Sequence, residues 1–278
     1  MKVKATVLVD NYVFGINGVF AQHGWAVFLE TDQGNYLLDT GAGKILINNA
    51  RVLGVDLDSI LGIILSHHHH DHTGGLLEVL DYLRRPVPVH AHPGLFKNSY
   101  RQQNDGMLRN SGIPFRREIL EGKGACFDLD AAFREIAPGL WITGAVPRTT
   151  SYEFGDPKSL IRQGEGFIQD PLEEDLSVVI RADGGLFVVL GCAHAGIVNT
   201  LRHAMQRTGE TRIHTVFGGT HLGMLGDAQR EESIRDLKAM SIGCLGASHC
   251  TGMKAAHQMA QEWGERFVFC KVGAAFEA

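Results

Sequence analysis

Residues Ser66 to Gly75 read Ser-His-His-His-His-Asp-His-Thr-Gly-Gly, and no other stretch restricts the fold and chemistry of this chain so tightly. Five of its fourteen histidines fall within six positions. Just before them, Leu61-Gly62-Ile63-Ile64-Leu65 is a short apolar run that reads as a buried strand. The histidines therefore stand on a loop where a strand ends, held by a rigid scaffold. Alternate residues, His67 and His69, can turn to one side of that loop, and Asp71 and His72 follow at the turn into a helix. Three imidazoles and one carboxylate thus come within reach of one or two divalent metal ions, Zn first, with Mn, Fe or Ni also suited to such donors. A solvated polar loop has no reason to use so uncommon a residue five times.

The 278 residues suffice for a large core. Apolar content of 44% and charged content of 21% are ordinary for a soluble globular chain. A formal net charge of −5 gives no overall basic field for nucleic acid. The five cysteines, Cys126, Cys192, Cys244, Cys250 and Cys270, include no C-x-x-C pair, and read as reduced thiols of a cytoplasmic protein. Asp10 interrupts the only apolar run near the N-terminus, so no signal peptide is expected. No stretch approaches the roughly 20 apolar residues of a membrane span.

Strands are expected at Val3–Val9, Trp25–Glu30 and Asn35–Asp39, the last two joined in a hairpin at Gln33-Gly34. Asp39-Thr40-Gly41-Ala42-Gly43 ends the third. A helix over 44–53, the strand Leu61–Leu65, an amphipathic helix carrying Leu76, Leu77, Leu80 and Leu83, and a strand at 86–92 follow. From 93 to 171 the pattern loosens, with one clear strand at Leu140–Ile142 and six scattered arginines. This region is expected to cover the site and shape a substrate pocket within a single domain spanning 1–278. One or two of Arg101, Arg109, Arg116, Arg117, Arg134 and Arg148 could clamp an anion.

Regular structure returns in a hairpin, Leu176–Arg181 and Leu186–Leu190, turned by Asp183-Gly184-Gly185. Three strands then end in small residues and a histidine: Gly191-Cys192-Ala193-His194, Gly218-Gly219-Thr220-His221 and Ala247-Ser248-His249. Helices follow around Leu201, Leu237 and Ala256, and Phe267–Cys270 closes the sheet. One such histidine could be accidental; three, added to the His/Asp loop, indicate strand ends converging on one site.

The pattern His67-x-His69-x-Asp71-His72 resembles the signature of the metallo-β-lactamase superfamily, and the resemblance runs along essentially the whole chain. It implies an α/β fold, the four-layer αββα sandwich. The three later histidine turns, with Val146-Pro147-Arg148, resemble the subgroup named after dihydropterin–ribofuranosylaminobenzene phosphate synthase. By that resemblance two metals are bound. His67 and His69 hold one, with His194 as third histidine; Asp71 and His72 hold the other, with His249. Asp39 matches a family position that orients the metal loop. The chain departs from many relatives in two ways: no histidine precedes the Leu176–Arg181 strand, and Cys192 stands in place of a bridging aspartate, as ligand or as packing residue. His92 is a lesser candidate ligand.

The implied chemistry is metal-dependent hydrolysis. A metal-bound water loses its proton near pH 7, and two metals roughly 3.5–4 Å apart polarise a P=O or C=O. Asp71 orients the resulting hydroxide, and His221, a rival to His249 as ligand, is read as a supporting or proton-transfer residue. The expected substrate is a small anionic phosphoester or cyclic phosphodiester, with a lactone or other ester second. Other classes are a diiron redox protein, whose relatives usually carry Glu where His69 stands, and a metal-binding sensor without catalysis.

Overall fold

The computed structural model describes residues 1–278 and contains two seven-stranded sheets. The first runs in the order Ala275–Glu277, Val3–Val9, Ala26–Thr31, Gly34–Leu38, Ile60–Ile64, Val87–Ala91, Ala125–Leu129. The second runs Phe267–Phe269, Ile242–Ser248, Ile213–Gly219, Gly185–Val189, Val178–Ala182, Leu140–Ile142, Arg134–Ala137.

Period-two alternation sorts the side chains of each strand onto two faces. Val27 and Leu29 enter a cluster that also holds Val178, Phe187 and Phe217 of the second sheet. Their neighbours Ala26 and Phe28 face the other way, against Leu46, Leu76 and Leu80 from the helices Leu46–Val52 and Leu76–Leu83. On the far side, Val188 and Val216 meet Leu201, Leu237 and Met259 of the helices Ile197–Thr208, Asp227–Lys238 and Gly252–Trp263. Three apolar interfaces separate four layers, helix–sheet–sheet–helix, which is the αββα sandwich expected from the sequence. Trp25 crosses the central interface: its indole N–H donates to the Leu190 carbonyl at 3.0 Å. Fully burying one such side chain contributes about 1.5–3 kcal/mol.

Strand direction places the site. Gly185–Val189, Ile213–Gly219, Ile242–Ser248 and Phe267–Phe269 are mutually parallel. So are Gly34–Leu38, Ile60–Ile64, Val87–Ala91 and Ala125–Leu129. Parallel strands deliver their carboxyl ends to one edge, where α/β sheets bind ligands.

Two parts of the fold differ from expectation. The loosely patterned stretch holds far more than one strand. Besides strands in both main sheets, it forms the whole of a separate four-stranded sheet, Gly166–Gln169, Ser159–Gln163, Ser99–Gln102 and Leu108–Asn110. Segments such as Ser-Tyr-Arg-Gln and Gly-Phe-Ile-Gln bury little and so lack the alternation that marks a core strand. The chain also continues past Phe267–Cys270: Ala275–Glu277 returns to pair with Val3–Val9, and Phe276 stacks on Phe217 with ring centroids 4.0 Å apart. No helix is long and apolar enough to cross a membrane.

Candidate metal centre

The Ile60–Ile64 strand ends directly before Ser66 and the histidine loop. Buried Asp39, at the end of the neighbouring strand, braces that loop. It accepts from the Ser66 backbone N–H at 2.7 Å, the Ser66 hydroxyl at 2.6 Å and His72 Nδ1 at 2.7 Å. The Asp39 backbone is left-handed, with φ of 56°. A glycine lets the end of the histidine loop pack: a Cβ on Gly75 would lie 2.2 Å from the Thr40 carbonyl oxygen. Thr40 in turn donates to the His72 carbonyl through both its N–H, at 2.7 Å, and its hydroxyl, at 2.9 Å.

The brace sets the imidazole tautomers. The Ser66 hydroxyl donates to Asp39 and so accepts from His67 Nδ1, 2.9 Å away. His72 Nδ1 donates to Asp39, and His249 Nδ1 lies 3.1 Å from Asn11 Oδ1. With Nδ1 committed as donor, each ring turns its Nε2 to the interior. His67 Nε2 lies 2.9 Å from His69 Nδ1; His72 Nε2 lies 3.2 Å from both His249 Nε2 and Cys192 Sγ.

Two donor groups result. His67, Cys192 and His194 have ligand atoms within 4.8 Å of one another, and so do His72, Cys192 and His249. His69 faces the first group, its ring centroid 5.1 Å from that of His194. Asp71 faces the second, with Oδ2 3.2 Å from His249 Nε2 and 3.1 Å from His23 Nε2. All six residues assigned as ligands from sequence therefore meet at one place. Cys192 is common to both groups, a central position that the sequence left open.

The donor set fits cations. Both ring nitrogens of buried His194 have no hydrogen-bond partner. Burial, and then the neighbouring imidazoles, push His67, His69 and His194 well below the ordinary histidine range, which leaves them neutral as ligands must be. Burial opposes the charge of Asp71, but its contacts with His23 and His249 outweigh that and hold its carboxyl low. Against burial, the Asp71 contact raises His249. A cation between that carboxylate and that imidazole would take the place of the proton they share.

Each later histidine turn has its own buried carboxylate. Asp175 accepts from the His194 N–H. Asp10 accepts from Ser248 and, at 3.2 Å, from the His249 N–H. Asp156 Oδ2 faces His221 Nε2 at 3.2 Å and takes Arg101 Nη1 at 2.6 Å. Burial drives Asp175 up to about 8 and Asp10 up to about 6. Burial also opposes the His221 charge, but Asp156 and Cys250 outweigh it and raise that imidazole to about 9. Ala193, His221 and His249 all have positive φ, of 50°, 57° and 46°, so these turns hold backbone that non-glycine residues rarely adopt.

Sequence reasoning missed several participants. His68 turns away from the donors, to Glu174 and Ser99, and Lys97 Nζ joins Glu174 at 2.5 Å and Asp170 at 2.6 Å. The supporting carboxylates and His23 carry no local motif. Of the six arginines, Arg101 lines the cavity over the donors, whereas Arg148 donates to the His194 carbonyl at 3.0 Å and so holds that turn. His92 accepts from the Gly94 N–H at 3.0 Å and acts as a local cap. The cavity is small, about 90 Å³, and His23, Asp71, Arg101, Cys192, His221 and Cys250 are among its lining residues.

The family model described as metallo-beta-lactamase superfamily matches residues 20–239. The chain is 28% identical to the 7,8-dihydropterin-6-methyl-4-(beta-D-ribofuranosyl)-aminobenzene-5'-phosphate synthase of Methanocaldococcus jannaschii, over 95% of this chain and 93% of that one. It is 27% identical to a hydroxyacylglutathione hydrolase of Hahella chejuensis, over 70% of this chain and 65% of the relative. A solved metal-dependent hydrolase of the beta-lactamase superfamily superposes with a TM-score of 0.84 at 26% identity, covering 99% of each chain.

Proposed function

This chain belongs to the metallo-β-lactamase superfamily of metal-dependent hydrolases, and on that premise we propose that it hydrolyses phosphoesters, cyclic phosphodiesters among them, of small anionic molecules. The observation that carries this reading is the pair of donor groups sharing Cys192, in a cavity whose lining includes Arg101 and a His221 raised by Asp156 and Cys250.

His67, His69 and His194 would hold one divalent cation, and Asp71, His72 and His249 the other, Zn being the first choice for an imidazole-rich set. Bound there, the cations would supply a nucleophilic water near neutral pH and polarise the phosphoryl oxygen. Asp71 orients the attacking water and takes its proton. Asp156 keeps His221 protonated and aimed into the cavity, where its proton can pass to the leaving oxygen. Arg101, tethered by the same Asp156, faces an incoming anion and pairs with it by charge-assisted hydrogen bonds. A cavity of about 90 Å³ suits a phosphoryl group on a small molecule rather than a groove-bound polymer. The name of the Methanocaldococcus jannaschii relative also includes a 5'-phosphate. That relative is named a synthase, so the hydrolytic direction rests on the structural relative and the donor set. Five free thiols favour a reducing, cytoplasmic setting.

A second reading, ester or lactone hydrolysis, is favoured by the likeness to hydroxyacylglutathione hydrolase. The test is metal analysis of the purified protein beside turnover of bis(p-nitrophenyl) phosphate and a panel of p-nitrophenyl esters and lactones. Phosphodiester turnover that a chelator abolishes and Zn or Mn restores is expected. Turnover confined to esters and lactones would replace the first reading with the second.

A further inference from the structure

Cys192 and Cys250 stand at the carboxyl ends of two different strands, yet their sulfurs lie 3.3 Å apart. Both line the floor of the cavity over the donors. Neither is in a disulfide. The mechanism proposed above uses no reaction of either sulfur.

Three features hold the two thiols together. Each cysteine adjoins a non-glycine residue in the left-handed region, Ala193 after Cys192 and His249 before Cys250. The backbone N–H of His221 donates to Cys250 Sγ at 3.3 Å. Gly219 lies beneath the pair: a Cβ there would come within 2.8 Å of Cys250 Sγ and 3.1 Å of the Cys192 Cα. Any side chain at 219 would push the thiols apart.

We propose that Cys192 and Cys250 form a reactive dithiol, a site of two-electron oxidation that peroxides reach through the cavity. One sulfur attacks hydrogen peroxide, the O–O bond breaks, and a sulfenic acid and water form. The second thiol then attacks the sulfenic sulfur, expelling its oxygen as a second water and closing the disulfide. Two thiols lose two electrons and two hydrogens in all, and one peroxide becomes two waters. The sulfurs must close from 3.3 Å to about 2.05 Å, within reach of side-chain rotation. Cys192 would add its sulfur to both donor groups, and closure withdraws it from that shared position, so oxidation releases cation. That consequence rests on the ligand reading above; the disulfide itself does not.

The experiment treats the full-length protein, as purified with its metals and again after chelation, with hydrogen peroxide. Peptide mapping, thiol counting under denaturing conditions and a metallochromic dye are read together. The expected result is a Cys192–Cys250 cross-linked peptide, loss of two of the five thiols, release of metal from the loaded protein, and reversal of all three by dithiothreitol. Cys192→Ser should give no cross-link, and its Cys250, the sulfur that accepts from the His221 N–H, should proceed to sulfinic acid that dithiothreitol does not reverse. The absence of the cross-link from both the loaded and the chelated protein would overturn the proposal. A cross-link without metal release would overturn the hold of the dithiol on the cations and leave the ligand reading to be tested separately.

Discussion

On the first sheet, four donors, His67, His69, Asp71 and His72, come from six consecutive residues, and one carboxylate holds their loop. Asp39 accepts three hydrogen bonds from that loop, so His72 is already oriented by contacts within the chain. On the second sheet the donors come from two strand ends, Cys192 and His194 from one and His249 from another more than fifty residues further along the sequence. Their backbone is held by Asp175, Arg148 and Asp10, but the His194 ring makes no hydrogen bond. The first half is organised before a cation arrives. The second fixes its backbone and leaves one imidazole for the cation to complete. Preorganising one side limits the side-chain entropy lost on binding, while the other side keeps an imidazole, His194, free to take a metal.

The largest effect should come from Asp71, where the two halves meet. Asp71→Asn keeps the shape of the side chain but removes the charge that faces His249 and His23. Turnover should fall about 10²–10⁴-fold, as expected for loss of a general base, with loss of the cation held by His72 and His249. Metal stoichiometry and turnover measured on one preparation check this. Unchanged turnover with both cations retained would remove Asp71 from the mechanism.

Asp39→Ala should act on the folded chain itself. It leaves buried donors without their acceptor, at about 3–5 kcal/mol by analogy with breaking a buried pair. Urea denaturation of the chelated protein should show this loss, and cation affinity should fall about 10–100-fold.

His194→Ala is the contrasting substitution on the second sheet. It should also lose cation, yet change chelated-state stability by about 1 kcal/mol or less, because removing an unsatisfied buried imidazole offsets the cavity it leaves. Equal destabilisation by Asp39→Ala and His194→Ala in metal-free protein would end the distinction between the halves.

The smallest effect is expected at Asp156. His221 is raised from 6.5 to about 9, so in the folded protein its proton is held at neutral pH and lost as pH rises through about 9. Activity that needs this proton should decline on the alkaline side near that value. Asp156→Asn removes the carboxylate that outweighs burial, so the alkaline limb should move to lower pH, with a modest loss of turnover at pH 7. A pH–rate profile whose alkaline limb stays in place would show that Asp156 holds structure alone.

What could be read from sequence alone was whatever is encoded locally. The strands and helices follow from alternation in segments such as Val27–Leu29 and from helices with one apolar face, where each side chain's role depends on its near neighbours; their αββα layering was implied by the resemblance to the superfamily. The loop His67–His72 was equally legible, because its donors are consecutive and their spacing places them on one strand end. Tertiary structure decided the rest. Asp10, Asp156 and Asp175 look like ordinary polar residues until folding carries them beneath His249, His221 and His194. The polar strands of 99–110 and 159–169 bury too little to leave a periodic mark. Cys192 became the shared centre of two donor groups, and the neighbour of Cys250, only when parallel strands brought their carboxyl ends to one edge. A contact between distant strand ends depends on register and layer packing, and no short window of sequence carries that information.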